Sequence, residues 1–166
     1  MSFDEIEAWT KAGDFARVND AIAPLDENAE KEAVDHWNSV GKPVNSLGVL
    51  ETLIVQIAGL KGTAKVDLGK RAALPFCADN GVVEEGVSQS GPEVTSIVAA
   101  NMARGMSSVC VMGRLSGVVC HPVDVGMLYD AEGVLDRKIA RGTNNFTKGP
   151  AMSREQACQA LAVGIE

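Results

Sequence analysis

At 166 residues, with 46% apolar and 22% charged residues, the chain has the size and composition of one globular domain. A net charge of −7 with no basic cluster speaks against nucleic-acid backbones and anionic membrane surfaces as partners. No stretch approaches the roughly 18 apolar residues of a membrane span, and the acidic start "MSFDEIEAW" is unlike a signal peptide, so a cytoplasmic address is expected.

From Ser2 to about Val40 the pattern is helical. Ser2 with Glu5 fits a capping box, and Phe3, Ile6 and Trp9 share a helical face. Pro24 interrupts, and "DENAEKEAVD" follows as the solvated face of an acidic helix that reaches Trp37. "GKPVNSLG" (Gly41–Gly48) is a loop by its Gly, Pro and Asn content. Leu50, Leu53, Ile54, Ile57 and Leu60 recur at helical spacing, which predicts an amphipathic helix over Val49–Leu60 that Gly59 and Gly62 help to stop. "AALPFCA" (Ala72–Ala78) reads as a short buried strand. Val94, Ile97, Val98 and Met102 form a helix stripe, and Val109, Met112 and Leu115 continue it beyond Gly105. "GVVCHPVDVG" is a second strand, and Ser153–Ile165 a helix with Ser153 and Gln156 as its capping box.

This order predicts a helical segment over residues 1–41 and a partial domain over 42–166. Alternating strands and helices make the second part α/β, a parallel-sheet, Rossmann-like core. Ligands of such sheets sit outside the carboxyl ends of the strands. Both predicted strands end in an Asp, in Asp79-Asn80-Gly81 and Asp124-Val125-Gly126, so a site is expected there. There is no G-x-G-x-x-G, no P-loop lysine and no G-x-S-x-G elbow to name a ligand. Cys77, Cys110, Cys120 and Cys158 are scattered, and His36 and His121 share no ligand spacing. Buried thiols are therefore expected, with no metal and no cofactor.

Four motifs occur in order: "KPVNSLGVLE" (Lys42–Glu51), "ADNGVVEEGVSQSGPEVT" (Ala78–Thr95), "VDVGM" (Val123–Met127) and "RGTNNFTKGPAMSREQA" (Arg141–Ala157). In these the chain resembles the nicotinate-nucleotide–dimethylbenzimidazole phosphoribosyltransferases. The resemblance begins near Lys42; before that, it extends only to the presence of helices. It implies transfer of phosphoribose from nicotinate mononucleotide to a benzimidazole nitrogen, giving α-ribazole phosphate and nicotinate in cobamide assembly. It also implies that Asp79, Asn80, Gly81, Gly86 and Ser88 line the pocket for the aromatic base. In that reading Gly81 and Gly86 let backbone approach a flat ring, Ser88 offers a hydroxyl, and Asp79 orients the loop by accepting N–H bonds. Arg141, Gly142, Thr143 and Asn144 would face the nucleotide. The bland alternatives are an Asx-turn at Asp79, a plain Gly/Asn turn at Arg141–Asn144, and solvated charges at Glu84 and Glu85.

The family's Gly-Asn-Thr-Thr phosphate loop and its late catalytic glutamate match nothing in this sequence. The chain is therefore expected to correspond to the N-terminal part of the enzyme, to hold no catalytic residue, and to be inactive alone. It would act with a complementing C-terminal half or as a homodimer, on small-molecule substrates with a benzimidazole-type or phenolic base. A non-catalytic base-binding module, or a decayed relic, is the alternative. The segment before Lys42 is expected to lack its packing partners. Asn80 stands where the family has His, which removes a titrating group but tolerates a left-handed turn. Asn45 replaces a Gly, and Pro75 and Pro122 fall inside the predicted strands, where proline is disfavoured.

Overall fold

In the computed structural model, which describes residues 2–166, the expected capping box is present: Ser2 Oγ accepts the Glu5 N–H and the Glu5 carboxylate accepts the Ser2 N–H. It starts α1, Phe3–Lys11. Gly13, at φ +74°, turns the chain, and Asp14 caps a short α2, Phe15–Asp20. Asp26 caps α3, Glu27–Ser39, and α4 spans Val49–Lys61. Then come β1 (Arg71–Ala73), β2 (Phe76–Ala78), a 3-10 turn at Gly81–Glu85, α5 (Glu93–Ala103) and α6 (Ser108–Leu115). The chain ends with β3 (Val118–Cys120), β4 (Val123–Gly126), β5 (Leu135–Asp136) and α7 (Arg154–Val163), which carries the second expected box at Ser153 and Gln156.

The contacts divide the chain into two compact units, the first taking the chain up to Ala21 with Lys70–Glu166, the second Ile22–Gly69. This differs from the expected break after residue 41, because α1 packs on α7 and α3 packs on α4. The helices before Lys42 thus have partners within the chain, contrary to expectation.

In the second unit Gly59 lies inside α4 rather than stopping it. A Cβ there would sit 2.7 Å from Glu30 Cγ, so the glycine lets α3 come close. Ala29, Ala33 and Ala58 complete that contact, while Leu50, Leu53 and Leu60 of the predicted stripe remain exposed. The two ends of the "KPVNSLGVLE" motif meet: Lys42 Nζ lies 2.8 Å from Glu51 Oε1, which also accepts the Leu47 N–H at 3.0 Å. Lys42 stacks over the Trp37 ring at 5.3 Å. The bonds from Lys42 and Leu47 hold the Glu51 carboxyl below the usual range. Asn45, in the place of the family glycine, takes φ +55°, a backbone that asparagine tolerates better than most residues.

In the first unit each predicted strand breaks in two at its proline. β1 pairs β3 and β2 pairs β4, all parallel, and β5 adds in parallel to β4. One expected sheet is therefore a two-stranded and a three-stranded sheet. Pro75 and Pro122 cannot donate to a ladder, but their carbonyls still accept the N–H groups of Val123 and Leu135 at 2.9 and 3.0 Å. The bends thus stay in step across neighbouring strands. The core gathers Cys77, Ala99 and Met127, with Met102, Ala131 and Val134 against it. Helices α5 and α6 turn Ala99 and Cys110 inward, whereas Ile97, Val98, Met112 and Leu115 of the predicted stripes stay exposed. Small side chains allow the close approach that larger ones would block. All four cysteines are free thiols; Cys120 is half-buried and the others buried.

Candidate functional site

Asp79 follows β2 directly and is 6% exposed. Its N–H donates to Gly126 O at the end of β4, and its carbonyl accepts the Thr143 N–H, both at 3.0 Å. Its carboxylate accepts the Thr95 hydroxyl at 2.6 Å and the Leu128 N–H at 2.8 Å. One residue thus ties together the β4 end and the second predicted loop through its backbone, and α5 and the segment after β4 through its side chain. Of the carboxylate's two bonds, one comes from a backbone N–H, that of Leu128, and the other from a hydroxyl.

The two predicted loops pack on each other. A Cβ on Gly81 would lie 2.6 Å from Thr143 O, Asn144 C and Asn145 N, so glycine is required here for backbone against backbone. The Gly81 N–H donates to Thr143 Oγ1 at 3.3 Å. Glu84 and Glu85 are not merely solvated: Glu84 binds Lys148 at 2.6 Å, and Glu85 accepts from Asn145 at 2.6 Å and Thr147 at 3.1 Å. Lys148 and Asn145 hold the Glu84 carboxyl below its ordinary range. Gly142, at φ +72°, donates to Gly126 O, and Asn144 donates to Ala151 O. Arg141 donates to Leu128 O at 2.6 Å and pairs with Asp130 at 2.9 Å.

Two cavities open on either side of this hub. One, of about 430 Å³, is lined by Phe76, Val83, Pro92, Val94 and Val98, with Asp79, Asn80, Ser88 and Thr95 as polar groups. The other, of about 300 Å³, lies between Asp79, Asn80, Gly81, Leu128, Gly142 and Thr143. Asn80 lines both, in extended backbone at φ −116° rather than a left-handed turn. Ser88, in the lining of the first cavity, donates its Oγ–H to Ser90 O at 2.9 Å and accepts the Ser90 N–H at 3.3 Å, closing a local turn. Gly86 lines neither of these two; at φ +72° it ends the 3-10 turn. Arg141 and Asn144 line a third cavity of about 240 Å³, with Ile139 and Met152. Burial, then Asp124 and Asp79, push the Cys77 thiol up, which disfavours its thiolate.

The second Asp departs from expectation. Asp124 lies within β4, opposite Cys77, and is 4% exposed. It accepts the Gly126 and Met127 N–H groups and pairs with Lys138. Thr95, Leu128 and Lys138 were not foreseen. Thr95 stood within a quoted motif, but "LDRKIA" around Lys138 carries no pattern that marks it.

A family model described as phosphoribosyltransferase matches residues 22–166. The chain belongs to that family. A nicotinate-nucleotide–dimethylbenzimidazole phosphoribosyltransferase of Alkaliphilus metalliredigens is 43% identical over 148 residues, covering 87% of this chain and 42% of the relative. Its namesake from Salmonella paratyphi A is 47% identical over 146 residues, covering 86% and 40%. The crystal structure of the Thermus thermophilus enzyme of the same name superposes with a TM-score of 0.77 at 35% identity, covering 84% of this chain and 43% of that one. The chain spans about two fifths of the length of the family members it matches. Among the described residues no helix is long and apolar enough to cross a membrane.

Proposed function

We propose that this chain holds the aromatic base in a transfer of phosphoribose from nicotinate mononucleotide to 5,6-dimethylbenzimidazole. What carries the reading is the 430 Å³ cavity beyond the carboxyl end of β2, apolar on most of its wall with a few polar groups along it. Such a lining suits a flat heteroaromatic ring, and the relatives' names supply the reaction. Asn80 and Ser88 would address the ring edge, and the Arg141–Asn144 side would face the nucleotide.

In the transfer a base nitrogen attacks the ribose C1 carbon as the nicotinate leaves with the electrons of the broken C–N bond. The pyridinium becomes neutral, and the proton on the attacking base must go to a carboxylate. No residue of this site is assigned that proton. The carboxylate and the phosphate cradle would come from the remaining part of the family's length, which this sequence does not span. The base should then bind the isolated chain more tightly than the nucleotide does, with an affinity as weak as millimolar, about −4 kcal/mol. Calorimetric titration with 5,6-dimethylbenzimidazole and with nicotinate mononucleotide tests this. Tight nucleotide binding without base binding would reject it.

A further inference from the structure

Lys138 follows β5, in a stretch no motif covers, and its side chain is 13% exposed. All three ammonium protons are directed: to Asp124 Oδ2 at 2.8 Å, Asp130 Oδ1 at 2.9 Å and Met127 O at 2.8 Å. Asp124 uses its other oxygen for the Gly126 and Met127 N–H groups, at 3.0 and 2.8 Å. Asp130 uses its other oxygen for Arg141, whose second nitrogen holds Leu128 O at 2.6 Å. The Leu128 N–H then reaches Asp79 at 2.8 Å. Lys138 and Arg141 pair with Asp124 and Asp130, and Asp79 joins them through the Leu128 N–H. This chain of bonds ends on Asp79, Leu128 and Gly142, which wall the 300 Å³ cavity.

We propose that Lys138 is a positioning residue of the site: it touches no ligand but fixes the Leu128–Asp79 wall and, through Asp130 and Arg141, the Arg141–Asn144 loop. The proposal rests on the functional reading above, because Asp79, where this chain of bonds ends, also lines the 430 Å³ cavity assigned to the base. Its physical basis is that a largely covered ammonium with three directed bonds leaves the 124–130 segment a single path, whereas a solvated one would not. Asp130 serves as the relay, because one of its oxygens faces each cation.

Removing Lys138 alone leaves Asp124 buried and unpaired, which endangers folding. The test therefore uses two other variants. Asp130→Ala alters an exposed side chain and breaks the relay. Lys138→Met with Asp124→Asn removes both charges, while the Asn oxygen still accepts the Gly126 and Met127 N–H groups. Each is measured by thermal melting, by amide hydrogen exchange at Leu128 and Thr143, and by titration with 5,6-dimethylbenzimidazole. The expected result is melting near the parent, exchange at both amides at least tenfold faster, and base affinity at least fivefold weaker. Unchanged exchange at Leu128 and Thr143 in a folded double variant would overturn the proposal, whatever the ligand. Altered exchange with base affinity equal to the parent's would also overturn it. A parent that binds no base rejects the functional reading instead, and the exchange rates alone then decide the role of Lys138.

Discussion

Gly81→Ala is the sharpest perturbation of the loop clasp. The added methyl would meet three backbone atoms at 2.6 Å, and none of them belongs to a side chain that can swing away. Reaching ordinary contact requires the 143–145 backbone to retreat by nearly 1 Å, on the scale of the overpacking that costs about 1–3 kcal/mol. The Gly81 N–H to Thr143 bond, already 3.3 Å, would be lost for about 1 kcal/mol more. Together these give about 3 kcal/mol, or roughly 10 °C in melting temperature for a chain of this size. Gly86→Ala is the control: its φ of +72° strains an alanine, but nothing lies within 4 Å of the new Cβ. That strain costs about 1–2 kcal/mol. Urea and thermal melts of both variants measure the difference. If Gly81→Ala melts with the parent, or Gly86→Ala costs more, the two loops are not clasped backbone to backbone.

Asp79→Asn should destabilise by about 1–3 kcal/mol, since one bond from Thr95 or Leu128 would face an amide donor; a denaturant melt superposing on the parent's would contradict it. Asp130 should titrate at about 2, because Arg141 and then Lys138 bond its carboxylate. With the unfolded value near 3.9, its contribution is present above about pH 4 and lost as pH falls through about 2; a carboxyl-carbon NMR midpoint near 4 would contradict the relay. Glu51→Ala should release Lys42 from beside Trp37, lowering the melting temperature and shifting the tryptophan emission to the red, whereas unchanged emission would place Lys42 elsewhere. The isolated chain should release no nicotinate from nicotinate mononucleotide plus base above background, since losing a general base alone costs about 10²–10⁴ in rate; turnover by the purified chain would show that it holds its own proton acceptor.

Local signals were legible where they depend on near neighbours. The boxes at Ser2–Glu5 and Ser153–Gln156 need only a hydroxyl and a carboxylate or amide three residues apart, and both form. The Asp79 hub was legible as a strand-end acid, since parallel strands put their carboxyl ends together. The breaks at Pro75 and Pro122 were foreshadowed by the missing N–H groups, but not that both strands would bend in step, because register across a sheet is not local. The helical stripes misled. Periodicity shows which residues share a face, not which face meets a neighbour, and here Ala99, Cys110 and Gly59 make the approach. The Lys138 network was invisible for the same reason: Asp124, Asp130 and Lys138 come together only when β5 lies beside β4. Glycine was legible as necessary at position 81, but that the 143–145 backbone lies against it was not, because the two loops are 60 residues apart in sequence.

The central claim is that the base sits against Asp79, Asn80 and Ser88. Amide chemical-shift mapping of the isotope-labelled chain during titration with 5,6-dimethylbenzimidazole tests it most directly. Saturable shifts should concentrate on Asn80, Val83, Ser88, Val94 and Thr95, around the 430 Å³ cavity. Saturable shifts confined to the Ile22–Gly69 unit, or none at millimolar base, would contradict the account.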